Sequence, residues 1–196
     1  DQETAQIAVQ ASLTGHLVFS TLHTNDAAGA LTRLVDMGVE PYLVASSLEA
    51  VLAQRLVGLL CPQCRKIDTT PESRVYRTKL GIAAKADVYR AVGCRECRNT
   101  GYHGRRAIFE WMDSSSEIRS LILKNGSTDA IRDSARRAGM KTLSEDGRRL
   151  VEEGITTIEE VLSVTTVHEM ESDKTAAEGR VAAANGAPAA LPRSLI

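Results

Sequence analysis

Aromatic residues make up only 4% of this 196-residue chain, with one tryptophan and two phenylalanines. Single-stranded nucleic acid is held by stacking bases on such rings above a basic groove, and the composition supplies neither. Lysine and arginine number 24 against 25 aspartates and glutamates, a formal net charge of −1. The whole chain therefore carries no field that would gather an anionic polymer or an anionic membrane. No apolar run approaches the roughly 20 residues of a membrane-spanning helix. Nor does a charged start followed by an apolar stretch and a small-residue cleavage site appear. The expectation is a soluble, cytosolic protein with no membrane span and no nucleic acid as principal partner. There is no initiator methionine; Asp1-Gln-Glu-Thr already reads as a helix start, so the chain is expected to be a piece of a longer protein. A last absence concerns chemistry. No G-x-x-x-x-G-K-[ST] occurs, so the loop whose backbone amides cradle phosphates is missing, and the chain alone is not expected to hydrolyse ATP appreciably.

What is present is the balance of a soluble globular protein, 43% hydrophobic and 25% charged. Residues 4–13 place Ile7, Ala8 and Ala11 at helical spacing, with Asp1 and Glu3 at the positive end of the helix dipole and Gly15 as a stop. Leu17-Val-Phe-Ser-Thr-Leu22 is a short apolar run with β-branched and aromatic members, which predicts a strand buried on both faces with His23 at its end. Thr24, Asn25 and Asp26 are N-cap candidates for a helix that Gly38 stops. Pro41 suits the first turn of a further helix, expected to run through Leu43, Leu48, Val51, Leu52, Leu56 and Leu59 towards Cys61. A loop and a short helix near Val75–Leu80 are expected next, then a strand over Arg106–Trp111. Ser114 with Glu117 reads as a capping box opening a helix to Asn125-Gly126, and Ser127 or Thr128 caps another to Gly139. A helix from Ser144 to Gly154 and a second capping box, Thr156 with Glu159, follow. From about Glu171 the chain is rich in alanine and poor in large apolar residues, and is expected to be a disordered tail. The expected organisation is 1–60, an α/β portion; 61–111, a cysteine module; 112–169, a helical domain; and 170–196, the tail.

Two signals carry chemistry. Cys61-Pro-Gln-Cys64 and Cys94-Arg-Glu-Cys97 use all four cysteines in two C-x-x-C pairs, the arrangement by which two turns present four thiolates to Zn²⁺. The 29 residues between the pairs add little closure entropy, because that cost grows slowly with length. Arg65, Lys66, Arg95 and Arg98 flank the pairs, where they are expected to offset the net negative charge of a four-thiolate site. Four free thiols are the plainer alternative, whereas disulfides would need an oxidising compartment. The second signal is Ser20-Thr-Leu-His-Thr-Asn-Asp26, which sets hydroxyls, an imidazole and an amide at the carboxyl edge of the predicted strand, where α/β folds place ligand groups. Taken alone, a histidine in such a turn is more often a capping or packing residue than a phosphate contact.

The run from Asp1 to Ala27, which contains both His16 and His23, closely resembles the secretion ATPase family that powers type II secretion and type IV pilus extension. The likeness continues through Arg33-Leu-Val-Asp-Met-Gly, Leu52-Ala-Gln-Arg-Leu, both cysteine pairs, Gly101-Tyr-His-Gly-Arg, Ile108-Phe-Glu and Gly139-Met-Lys-Thr-Leu. It ends at Gly154-Ile-Thr-Thr-Ile-Glu-Glu-Val-Leu-Ser-Val-Thr, so about residues 1–166 take part. The resemblance implies an α/β fold, namely the C-terminal half of a RecA-like P-loop ATPase domain followed by a small zinc-bearing, mostly helical domain. It implies a homo-hexamer on an inner-membrane secretion or pilus platform, using ATP and Mg²⁺ together with Zn²⁺. It makes Asp1 the aspartate after the Walker B glutamate, and His16 and His23 the histidines of the His box, with His23 the phosphate sensor. Thr21, Thr24 and Asn25 would orient that loop, and Arg55 would meet the nucleotide or a neighbouring subunit. The four-cysteine module favours the assembly branch over the retraction branch. Two alternatives from other classes stand beside it: a zinc-stabilised interaction module without catalytic activity, and a zinc-ribbon nucleic-acid protein, which the charge and the aromatic content disfavour.

Overall fold

A long antiparallel ribbon organises the molecule. In the computed structural model, which describes residues 1–165, β1 (Ala50–Leu60) pairs with β4 (Tyr102–Asp113). The register runs from Ala50 opposite Asp113 to Val57 opposite Arg106, with an irregularity between Gly58 and Leu60. Before the ribbon come α1 (Gln2–Leu13), α2 (Ala27–Asp36) and α3 (Pro41–Ser47). Between its strands lie β2 (Lys66–Ile67), α4 (Pro71–Lys79) and β3 (Tyr89–Arg90), with β2 and β3 forming a second, minimal sheet. After it follow α5 (Ser116–Leu123), α6 (Thr128–Arg137) and α7 (Leu143–Glu152), and the chain is helical again from residue 158. Residues 1–164 form one compact unit. The expected tail lies outside the described residues.

The ribbon has one buried face and two cores upon it. Alternation along β4 sends Ile108, Glu110 and Met112 inward. Met112 joins Ala27, Ala28, Leu31, Val44, Ile118 and Ile131 in a core built from α1, α2, α3, α5 and α6. Ile108 and Val57 join Leu80, Val88, Leu150, Ile158 and Val161 in a second core under α4, α7 and the helical residues from 158. Ala53, which faces Glu110 across the ribbon, packs against both. Fully burying each branched side chain contributes about 1.5–3 kcal/mol, so either core outweighs any single polar contact in the fold.

The helix starts obey their caps. Asp1, Asp26, Ser115, Ser127 and Thr142 each accept a backbone amide at the N-terminus of the helix that follows. Ser115 therefore does the capping expected of Ser114, one residue later. The only full capping box among these is Thr142 with Glu145, and Thr157 rather than Thr156 accepts from Glu160. Thr156 instead donates to the Gly58 carbonyl, and Glu160 accepts from the Gly58 amide at 2.7 Å, so the irregular end of the ribbon is clasped by the last described helix.

Two expected elements differ. Residues 41–61 are not one helix: α3 ends at Ser47 and the chain turns extended into β1. The apolar positions 51, 52, 56, 57, 59 and 60 suit either period, and pairing with β4, available only in three dimensions, selects the strand. Leu17–Leu22 forms no strand either; Leu17 is 81% and Phe19 88% exposed. A strand buried on both faces belongs inside a sheet covered by other elements on both sides, and among the described residues the only sheets are two two-stranded pairs, β1 with β4 and β2 with β3. The helix of the cysteine module begins earlier than expected, at Pro71, whose fixed φ suits the first helical turn.

Candidate functional site

The two cysteine pairs come together at the far end of the ribbon. The Cys61 amide donates to the Gly101 carbonyl at 2.9 Å, extending the pairing of β1 and β4 into the first knuckle. The four sulfurs lie within 4.8 Å of one another. Cys61 Sγ is 3.8 Å from Cys94 Sγ, Cys64 Sγ is 3.9 Å from Cys97 Sγ, and Cys94 and Cys97 are 3.8 Å apart. Tetrahedral ligands at a Zn–S distance of about 2.3 Å stand about 3.8 Å apart, so the donor set and its spacing fit Zn²⁺. Such a closed four-sulfur site leaves no open position and supplies structure rather than catalysis.

Backbone amides face the thiols. Gly93 N–H donates to Cys64 Sγ at 3.3 Å, and the amides of Cys94 and Gly101 donate to Cys97 Sγ at 3.2 Å. Burial raises both thiols, but these two amides hold Cys97 down at about 6, whereas desolvation prevails at Cys64 and pushes it up to about 11. Gly93 and Gly101 both have positive φ, and a Cβ on Gly93 would meet the Asn99 carbonyl oxygen at 2.8 Å, so the amide donors can approach only because these residues lack side chains. Arg65 turns away from the cysteines: it lies 4.7 Å over the Tyr89 ring and donates to the Gly154 carbonyl at 2.6 Å. Charge compensation expected of Arg65 is thus replaced by a tether to the turn after α7.

The second signal is placed at the opposite core. Residues 16–24 form an irregular segment, with Thr21 and His23 exposed, that enters α2 through Asp26. Asp26 Oδ1 accepts from Gly29 N–H at 2.8 Å as the N-cap. Its Oδ2 takes Nε and Nη2 of Arg132 on α6, at 3.2 and 2.6 Å. Arg55 on β1 donates to the carbonyls of Thr24 and Asn25 at 3.4 and 3.5 Å. From beneath, Glu110, only 4% exposed, accepts from Ala27 N–H at 2.8 Å. Its other oxygen accepts from Leu143 N–H, the first amide of α7, at 3.3 Å. Desolvation raises the Glu110 carboxyl above the ordinary range and the charge of Asp26 adds to this, while the Ala27 and Leu143 amides pull the other way.

Thr24, Asn25 and Arg55 are therefore brought together, with His23 adjoining them. Asp1 and His16 are not together: Asp1 caps the start of α1, and His16 follows its end, 3.0 Å from the Thr14 hydroxyl. The 12 residues of α1 separate those ends by about 18 Å. Glu110 and Arg132 were not among the residues expected to form the site. Glu110 had a signal, since Ile108 and Met112 fix the inward parity of its strand and a carboxylate at an inward position needs donors. Arg132 had none, because its partner Asp26 is 106 positions away.

Comparison with known proteins places these features. The profile of the family described as type II/IV secretion system protein matches residues 1–163. The type II secretion system protein E of Pseudomonas aeruginosa is 52% identical over 165 residues, covering 84% of this chain and 33% of that protein. The type IV pilus assembly ATPase PilB of Thermus thermophilus is 49% identical over 169 residues, covering 84% of this chain and 19% of its own length. The chain thus spans a third or less of these two relatives. Among solved structures, the pilus retraction motor PilT with bound ADP aligns at a TM-score of 0.54 and 22% identity, over 84% of this chain and 36% of that one. The ATPase DotB of Legionella pneumophila aligns at 0.52, over the same share of each. These two alignments speak to the fold: a mixed α/β arrangement like part of each ATPase.

Proposed function

Because the chain belongs to the type II/IV secretion system protein family, we propose that it is the C-terminal part of a hexameric ATP-hydrolysing motor of type II secretion or type IV pilus assembly. The observation that carries this reading is that the matched region, residues 1–163, holds both the histidine-bearing segment and the four-cysteine cage. Relatives named for type II secretion and for pilus assembly share about half of its residues, at 52% and 49% identity. In this reading the portion at residues 1–60 completes a nucleotide-binding core begun elsewhere in the protein, 61–111 is the zinc module and 112–169 the helical domain. The motor works in the cytoplasm as a homo-hexamer, attached to inner-membrane platform proteins, with ATP and Mg²⁺ bound largely by residues outside this chain. Among the described residues no helix is long and apolar enough to cross a membrane.

His23 contacts the terminal phosphate in this mechanism. Thr21, Thr24 and Asn25 shape its loop, while Arg55 reaches that loop through two carbonyls and is poised at its edge. Asp1 and His16 stand at the two ends of α1, each serving the nucleotide site from its own end. In the full-length protein, His23→Ala lowers kcat by about a hundredfold or more, the scale of losing one hydrogen bond to developing charge. Nucleotide affinity and thermal midpoint change little. Steady-state phosphate release, analogue binding and thermal melts on wild type, His23→Ala and His16→Ala decide it. Wild-type turnover by His23→Ala, or loss only through unfolding or failure to assemble, overturns the sensor role.

A further inference from the structure

The seam between the two cores is closed by a single carboxylate. Ile108, Glu110 and Met112 occupy successive inward positions of β4, and Ile108 belongs to one core while Met112 belongs to the other. Ala53 stands opposite Glu110, and its small side chain faces the acid where a larger one would fill the seam. The two carboxylate oxygens go to the first amides of two helices: Ala27 of α2 at 2.8 Å and Leu143 of α7 at 3.3 Å. Those amides have no intrahelical acceptor, and a buried carboxylate gains most when both its oxygens are hydrogen-bonded. The α2 start is also gripped from outside by Arg132, which holds Asp26 at 2.6 Å. Both grips act on adjacent residues, Asp26 and Ala27, and the turn that delivers Thr24, Asn25 and, one residue earlier, His23 leads directly into them.

We propose that Glu110 is a positioning residue that fixes the His23–Asp26 loop relative to α7 and the cysteine-bearing part of the fold, while Arg132, acting through Asp26, fixes the same loop to α6. The inference rests on the motor reading above. Neither residue touches nucleotide; both act through the loop. Displacing a sensor side chain by about 1 Å costs up to about a hundredfold in rate without abolishing binding. The seam thereby makes the geometry of the loop depend on how α7 sits on the ribbon.

The test is a set of variants of the full-length protein, read for kcat, affinity for a non-hydrolysable ATP analogue, hexamer content and thermal midpoint. Glu110→Gln keeps the side-chain volume but turns an N–H₂ group towards one of the two amides. Arg132→Gln releases Asp26 from the partly exposed side, and serves if Glu110→Gln does not assemble. Each is expected to lower kcat about tenfold to a hundredfold with analogue affinity retained. Ser115→Ala, which removes the α5 cap and touches neither Glu110 nor the Asp26–Arg132 pair, is the stability control and is expected to lower the thermal midpoint with kcat unchanged. In a His23→Ala background, Glu110→Gln and Arg132→Gln are expected to cause no further fall in kcat, because they act through that residue's loop. Wild-type kcat in either assembled single variant, or a fall that adds fully to that of His23→Ala, overturns the proposal. A full-length protein without ATPase activity overturns the motor reading instead, and a fully active His23→Ala overturns the sensor role on which the positioning depends.

Discussion

A buried polar side chain does what its nearest donors allow, and Asp68 is the simplest instance. It is 6% exposed and accepts both the hydroxyl and the amide of Thr70, at 2.7 and 3.0 Å, as the polar turn before α4. Desolvation tends to raise its carboxyl, but the Thr70 donors and the Arg90 charge outweigh it and hold the carboxyl below its ordinary value of 3.8. A carboxylate lowered in the folded state stabilises the fold fully above 3.8 and loses that contribution as pH falls through its folded value. Asp68→Asn is therefore expected to be less stable than wild type at neutral pH, with the difference shrinking as the pH is taken below 3.8. Urea midpoints of the two proteins across that range check it; a difference independent of pH would contradict the assignment. At this scale much was legible. Cysteine spacing picked out the four thiols that the fold gathers within 4.8 Å of one another, and Asp26 was among the cap candidates. Arg65 was legible only as a positive charge, because its choice of the Tyr89 ring and the Gly154 carbonyl over the thiols depends on where the chain returns.

Elements followed the sequence wherever their signals were local. Asp26, Ser127 and Thr142 start helices because a short oxygen-bearing side chain reaches an amide two or three residues on, a geometry independent of the rest of the fold. Thr142 and Glu145 satisfy each other's backbone amides, so Thr142→Ala should cost about 1 kcal/mol of stability, within a range of about 0.5–2 kcal/mol. Chemical denaturation of wild type, Thr142→Ala and Thr142→Ser measures it, with Thr142→Ser expected to retain most of the stability. The strand β1 was illegible for the opposite reason. Its sequence offers apolar side chains to both periods, and its partner β4 begins 42 residues after it ends. The segment at 17–22 shows the same dependence in reverse: its apolar β-branched run asks for neighbours that no described strand supplies, so it stays irregular and largely exposed.

At the level of the molecule, the ribbon ties a four-cysteine cage at one end to the histidine-bearing loop at the other core. The cage closes 33 positions of sequence between Cys61 and Cys94, and the segment inside has only α4 and two-residue strands as regular structure. Metal binding is accordingly expected to supply much of the folding free energy of 61–111. The full chain should carry one zinc, and chelation, or Cys61→Ser with Cys94→Ser, should remove it and expose the amides of Cys61, Gly93 and Gly101 to hydrogen exchange. Those of α5 and α6, which belong to the other core, should stay protected. Metal analysis and exchange mass spectrometry read both; stoichiometric zinc retained by the double variant would sink the site.

Sequence alone determined the features that arise from neighbours along the chain: the four paired thiols, most helix starts, the strand at 106–111 and the kinship of residues 1–163. Each is written in a spacing of a few residues, or in identities that need no geometry to compare. Tertiary structure decided what depends on distant partners. It made residues 50–60 a strand by offering them β4, left 17–22 unpaired, and turned Glu110 into a bridge between α2 and α7. The physical reason is the same in each case: a hydrogen bond or a buried face is satisfied by whatever the fold brings near, and for these residues that partner lies tens of positions away.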